Sequence, residues 1–380
     1  MRKKTSAILI AVLIFFVPEC YSQQNNNTNT GNNIVVGVFN GNGASPVCVL
    51  ETVEALKIDK DITPVEITAY EIENGVLDNI DVLIFPGGSG SKEYNNLGEL
   101  AAKKVKNFAR QKNKGLVGIC AGGYLFSTTP GYPSLEIMPA PDIRDHYDRG
   151  RALIGFSVNN TGKQIFPELS DIDTAYYQYY DGPMYNIPEN SNINILASIT
   201  TDITPKPDDP EGVTPGKPAL FSLKYGNGRV IVSVGHPEAT PGMRWMVPRM
   251  ARWAAARKLV NYSDNVVRPS IYKHEVLYYP SVINNEKKWF WQLFDSNADT
   301  VIATIQKLHS IYSRPSIRWS AGLLRNSNKN VRIAAAKYLV ETEYTAAIPD
   351  MESAYKNETD PITKSELEIL LKKLISFKGK

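Results

Sequence analysis

Cysteine is scarce in this sequence: three residues in 380, at positions 20, 48 and 120. That is too few for a disulfide-stapled scaffold. There is no C-x-x-C and no His/Cys cluster at zinc spacing, so the spacing calls for no metal. Nothing in the chain calls for a cofactor. Charge of one sign is also missing. The 42 basic and 39 acidic residues leave a net charge of +3, spread too evenly to mark a nucleic-acid-binding surface. Long apolar runs are absent as well. The longest, residues 7–17, is too short to span a bilayer, so no membrane span is expected.

That run follows the basic stretch Met1-Arg2-Lys3-Lys4 and precedes small residues at Cys20 and Ser22. The pattern predicts a signal peptide over 1–22, cleaved before Gln23, and a secreted or periplasmic protein. Lipid anchoring at Cys20 is the weaker alternative, because Pro18-Glu19 lacks the small residues a lipobox needs. Residues 23–33, rich in Gln, Asn and Thr, predict a disordered leader.

From residue 34 the chain alternates between short apolar runs and helical periodicity. Residues 34–39, 64–70, 81–85 and 115–119 read as strands. Ser45-Pro46 reads as a helix start, with a helix to about Lys57. Residues 97–111 carry apolar or small side chains at helical spacing, with lysines opposite. Residues 219–225 and 229–234, joined by Gly226-Asn227-Gly228, read as a hairpin, and 244–258 as a closing helix. This alternation predicts an α/β domain over 34–262 with a parallel sheet covered by helices on both faces. Sites in such sheets lie beyond the C-terminal strand ends. Asn40, Gly87 and Cys120 all fall there. Residues 263–284 read as a linker. Residues 285–380 show helical periodicity alone and predict a small all-α domain.

Chemistry concentrates at Gly118-Ile119-Cys120-Ala121-Gly122-Gly123-Tyr124. A cysteine between glycines at a strand-to-helix turn is placed as a nucleophile, with the Ala121 amide at a helix N-terminus where negative charge is favoured. A second apolar strand delivers Gly235-His236-Pro237-Glu238. A third enters the loop Phe85-Pro86-Gly87-Gly88, a source of oxyanion donors such as the Gly88 amide. Cys120, His236 and Glu238 are the parts of a thiol triad. Tyr180 and Asp181, in an unusually tyrosine-rich stretch, are candidate substrate contacts, or else part of a packed edge strand. Cys48 reads as a free thiol packed beneath its helix, with no bond to Cys120.

These motifs, in this order and together with Val38-Phe39-Asn40-Gly41-Asn42-Gly43, resemble the class I glutamine amidotransferase-like superfamily. The likeness is closest to the branch found in the N-terminal region of biotin-protein ligases, and it covers residues 33–258. It implies a flavodoxin-like sheet, catalytic Cys120, His236 and Glu238, an oxyanion hole at Gly88 and Ala121, and substrate contacts from Asn40, Gly87, Tyr124, Tyr180 and Asp181. One departure matters: Tyr124 stands where glutamine-hydrolysing members carry a glutamine, which weakens the case for glutamine itself. In the C-terminal part, Asn330 to Leu339 resembles the signature helix of a HEAT-like repeat, implying a protein-binding surface or a cover for the α/β domain. Two functional readings follow. One is a secreted thiol hydrolase acting on a small-molecule or peptide amide, or on an ester. The other is a non-catalytic ligand-binding or scaffold protein that keeps the triad residues.

Overall fold

The computed structural model describes residues 33–143, 150–203, 211–262, 285–286, 288–311 and 313–378. The expected signal peptide, the expected linker and nearly all of the leader lie outside them. Strand β1 (Ile34–Phe39) leads through a glycine-rich turn into helix α1 (Pro46–Leu56). Pro46 occupies the first helical turn, where its missing N–H costs nothing. Ser45 has extended backbone but caps nothing with its side chain. Its amide instead donates to the Gly87 carbonyl at 2.9 Å, tying the first loop to the second.

Strand β2 (Ile62–Ile67) ends three residues before Tyr70, short of the expected 64–70 boundary. The reason is local: Thr68 and Glu71 form a capping box that starts helix α2 (Ala69–Glu73). Pro64 is tolerated because β2 is an edge strand. Strand β3 (Val82–Phe85) is followed by α3 (Gly90–Ala109), which starts earlier than the sequence suggested and kinks at Gly98 (φ 65°). Strand β4 (Gly115–Ile119) runs into the short helix α4 (Ala121–Phe126). Strands β3 and β4 are wholly buried, as continuous apolar runs covered on both faces must be.

The remaining sheet elements are β5 (Arg151–Val158), helix α5 (Asn160–Ile165), β6 (Ala175–Tyr180), β7 (Ile193–Ile199), β8 (Pro218–Tyr225), β9 (Gly228–Ser233) and helix α6 (Met246–Ala254). The strand order is β2-β1-β3-β4-β9-β8-β7-β5-β6. The first five pair in parallel, in the order of a flavodoxin-like sheet. The other four continue it antiparallel. The sheet is therefore mixed, its antiparallel part extending beyond the parallel strands and the hairpin that the sequence indicates. The β8–β9 hairpin reverses direction at Gly226 (φ 61°), so β9 re-enters parallel to β4.

Further helices follow among the described residues, including α7 (Ala298–Ser310), α8 (Arg314–Leu323), α9 (Lys329–Glu341), α10 (Ile348–Asn357) and α11 (Pro361–Ile375). Side chains of Asn297, Ser313, Asn328 and Asp360 cap four of them. Leu308, Ile317, Val331, Leu339, Met351 and Leu367 form their own core, and Val47 and Leu50 of α1 pack against it. No helix among the described residues is long and apolar enough to cross a membrane.

One polar clamp fixes the open end of the parallel half. The Arg252 guanidinium on α6 donates to both Asp59 carboxylate oxygens, at 2.5 and 2.8 Å, and to Asp61 at 2.8 Å. Tyr262 donates to Asp59 at 3.1 Å. Asp59 is fully buried, so losing its cation leaves an uncompensated charge. Arg252→Met is expected to destabilise the fold by about 3–5 kcal/mol, the usual cost of breaking one side of a buried pair. An unchanged urea midpoint would contradict this account.

Candidate active site

Cys120 is the residue at which β4 bends into α4. Its backbone (φ 51°, ψ −101°) lies where non-glycine residues are rare, so the fold holds it in a strained elbow. The neighbouring glycines make the bend possible. A Cβ on Gly122 would come within 2.2 Å of the Phe85 carbonyl oxygen, and one on Gly118 within 2.9 Å of the Gly122 carbonyl carbon. The Cys120 amide donates to the Ser233 carbonyl at 2.9 Å, extending the β4–β9 ladder by one rung. The residues after Ser233 therefore emerge beside the elbow, and they include His236.

His236 is held from both sides. Its amide donates to the Gln178 carbonyl at 2.7 Å, and its own carbonyl accepts from Thr240 Oγ1 at 2.7 Å. Nδ1 of the imidazole lies 2.7 Å from Glu238 Oε1. Both side chains are buried, as is Cys120. The thiol of Cys120 donates to the Tyr180 carbonyl at 3.6 Å. The Tyr180 ring stands against the imidazole, centroids 5.4 Å apart. Burial opposes charge on His236, but negative charge on Cys120 and on Glu238 outweighs it, and the thiols of Cys120 and Cys48 add hydrogen bonding. The proton affinity of the imidazole is therefore well above the ordinary histidine value. Burial also raises the Tyr180 hydroxyl, to about 12.

The glycine loop sits against this pair. A Cβ on Gly87 would lie 2.6 Å from His236 Cε1, and one on Gly90 2.8 Å from the Ala121 carbonyl oxygen. The Ser45-to-Gly87 bond and a Ser89 amide donating to Gly43 at 2.8 Å fix Gly88 between the two loops. Cys120, His236, Glu238, Gly87 and the Tyr180 carbonyl thus converge, with the Gly88 loop packed on the elbow that carries Ala121.

Three other candidates point elsewhere. Asn40 is exposed and donates from Nδ2 to Glu66 at 2.7 Å. The Tyr124 hydroxyl is committed to the backbone, donating to the carbonyls of Gly182 at 2.9 Å and Asp181 at 3.3 Å. Asp181, itself at φ 49°, turns its carboxylate to Arg151 on the surface. Cys48 was expected to sit in the core, and it does lie buried with a free thiol. Its Sγ, however, faces His236, close enough to hydrogen-bond with the imidazole. Its place in the first turn of α1, just after the loop that follows β1, was the available signal. Arg318 of α8 lies over the Tyr180 ring at 5.7 Å and pairs with Glu51 of α1 at 3.7 Å. No linear pattern joins those residues to the elbow.

The sheet and its elbow define a class I glutamine amidotransferase-like fold. Residues 33–265 match the family described as "Biotin-protein ligase, N terminal", and the chain belongs to that family. A biotin–protein ligase of Schizosaccharomyces pombe is 22% identical over 230 residues, covering 53% of this chain and 33% of that protein. The chain thus spans a third of that relative's length. Among solved structures, a ThuA-like protein from Parabacteroides merdae superposes with a TM-score of 0.45 at 13% identity, over 60% of this chain and 92% of the other. The glutaminase domain of Trypanosoma brucei CTPS with bound acivicin gives 0.40 at 12% identity, over 62% and 100%.

The raised proton affinity of His236 has a definite sign. Its contribution to stability is full below the ordinary histidine value and is lost as pH rises through the elevated native one. Glu238→Gln removes one of the two charges that hold it up. The NMR titration of the His236 ring is expected to move to lower pH in that variant. A midpoint that stays in place would mean that Glu238 does not control the imidazole.

Proposed function

We propose that the protein is a secreted or periplasmic thiol hydrolase acting on an amide or ester through Cys120, His236 and Glu238. The observation that carries this reading is the 2.7 Å contact between His236 and Glu238 beside a cysteine on a strained elbow. In the proposed cycle His236 takes the Cys120 proton and the thiolate attacks the carbonyl carbon. The oxyanion is received by the amides of Gly88 and Ala121. Collapse breaks the C–N or C–O bond as His236 returns the proton to the leaving amine or alcohol. A thioester remains on Cys120. Water then attacks it with His236 again as base, releasing the acid and the free thiol. Glu238 keeps the imidazole oriented and balances its charge throughout.

The helical region is proposed to offer a protein-interaction surface. Free glutamine is not the expected substrate, since the Tyr124 hydroxyl is already spent on Gly182. Ammonia release from glutamine should stay at background. Cell fractionation checks the compartment. A second reading, a ligand-binding protein without turnover, is favoured by the near-complete burial of Cys120.

Iodoacetamide labelling separates the two. Cys120 is expected to alkylate rapidly near neutral pH. His236→Ala should slow that labelling by about 10²-fold or more, the lower range for loss of a positioned base. A panel of amides and peptides should then give turnover that Cys120→Ala abolishes. Labelling indifferent to His236 would leave the binding reading standing.

A further inference from the structure

Cys48 takes no part in the triad, yet it shares the imidazole. Its Sγ, a ring nitrogen of His236 and a carboxylate oxygen of Glu238 all lie within 4.8 Å of one another, and all three residues are buried. Thiolate, imidazole and carboxylate are the three donor types that Zn²⁺ takes from proteins. With metal–ligand bonds of about 2.0–2.3 Å, tetrahedral ligands stand roughly 3.5 Å apart. The widest separation therefore has to close by only about an ångström, and the 2.7 Å His236–Glu238 contact has to open by a similar amount. A second observation points to a missing partner. Oε2 of Glu238 is buried and makes no hydrogen bond, a costly state for a polar atom shielded from water. Gly87 keeps the approach open. A Cβ there would sit 2.8 Å from Cys48 Sγ and 2.6 Å from His236 Cε1.

We infer that Cys48, His236 and Glu238 form a capture site for a thiophilic divalent cation, Zn²⁺ fitting best, and that the bound ion switches off Cys120. The switching half rests on the thiol-hydrolase reading; the binding half does not. The mechanism is the economy of the imidazole. A neutral ring has one nitrogen lone pair to give. Once a metal holds it, the other nitrogen carries a hydrogen and cannot accept the Cys120 proton. Cys48 releases its thiol proton to solvent on binding. Three protein ligands leave a fourth position for water, as in open zinc sites. Cys48 and His236 lie 188 positions apart in the chain, so no ligand spacing in the sequence announces the site.

The test uses the full chain, reduced and stripped with a chelator, then titrated with Zn²⁺ or Co²⁺. Elemental analysis after gel filtration is expected to find one zinc per chain. The cobalt form should show a thiolate-to-metal charge-transfer band. Cys48→Ser should lose that band and bind Zn²⁺ at least about 100-fold more weakly, since even an outer-shell partner is worth 10–100-fold. Zn²⁺ should protect Cys120 from iodoacetamide in the wild type and not in Cys48→Ser, read peptide by peptide. Circular dichroism checks that the variant folds, with Cys48→Ala in reserve. If neither folds, Zn²⁺ protection of Cys48 itself in the wild type supports the site. Wild-type protein without stoichiometric zinc overturns the proposal, and so does a Cys48 variant that binds it with unchanged affinity. The two readings fail separately. Cys48-dependent zinc binding with Cys120 labelling indifferent to His236→Ala would keep the metal site and sink the hydrolase. His236-dependent labelling without zinc binding would do the reverse.

Discussion

The parallel pairing of β4 with β9 is the constraint from which the site follows. Ile119 sits opposite Ser233, and the Cys120 amide closes on the Ser233 carbonyl at 2.9 Å. That register puts the end of one strand, Cys120, beside the end of another, Ser233, and three residues later the chain reaches His236. A one-residue slip would turn every side chain of the strand to the opposite face and carry the imidazole away from the elbow. Both strands are buried, so the apolar pattern that drives folding also fixes the chemistry. The β8–β9 hairpin makes the pairing possible, because β9 runs parallel to β4 only after a reversal at Gly226.

Much of the parallel half was legible because its strands are continuous apolar runs with glycine-rich exits, and Pro46 marks a helix start by a mechanism that acts on neighbouring residues alone. The antiparallel half was less so. Tyr176 to Tyr180 alternates between buried and half-buried positions, and such alternation does not say which sheet a strand joins. The end of β2 was misplaced because Thr68 and Glu71 compete locally for the backbone. Within the site, the motif residues could be read, since each follows a strand. What could not be read was contact across sequence distance. Cys48 reaches His236 because α1 packs over the end of the sheet, and Tyr124 spends its hydroxyl on a loop nearly sixty residues away.

The helical region bears on the same site through charge. Glu51 is buried on α1, one turn beyond Cys48, and the guanidinium of Arg318 on α8 lies 3.7 Å from it. A buried carboxylate deprived of its cation is strongly destabilising. Val47 and Leu50 of the same helix already pack into the helical core. Helix α1 is thus shared. One face supports the sheet and brings Cys48 to His236, and the other supports the helices. The helices are therefore structural neighbours of the thiol chemistry, whatever surface they present outward.

Charge within the site is arranged so that no group stands alone. Burial by itself would strip the proton from His236, and the negative charges of Cys120 and Glu238, with hydrogen bonding from the Cys120 and Cys48 thiols, reverse that. The same burial that makes the imidazolium costly makes each opposing charge more effective, because a low dielectric strengthens every interaction it contains. Cys48 lies inside that field with its thiol pushed up by burial. A divalent ion inverts that balance. It favours the deprotonated forms of the thiol and the imidazole, against the raised proton affinities of Cys48 and His236. The residues that poise His236 to accept one proton are, by the same donor chemistry, the ones a metal would use to prevent it.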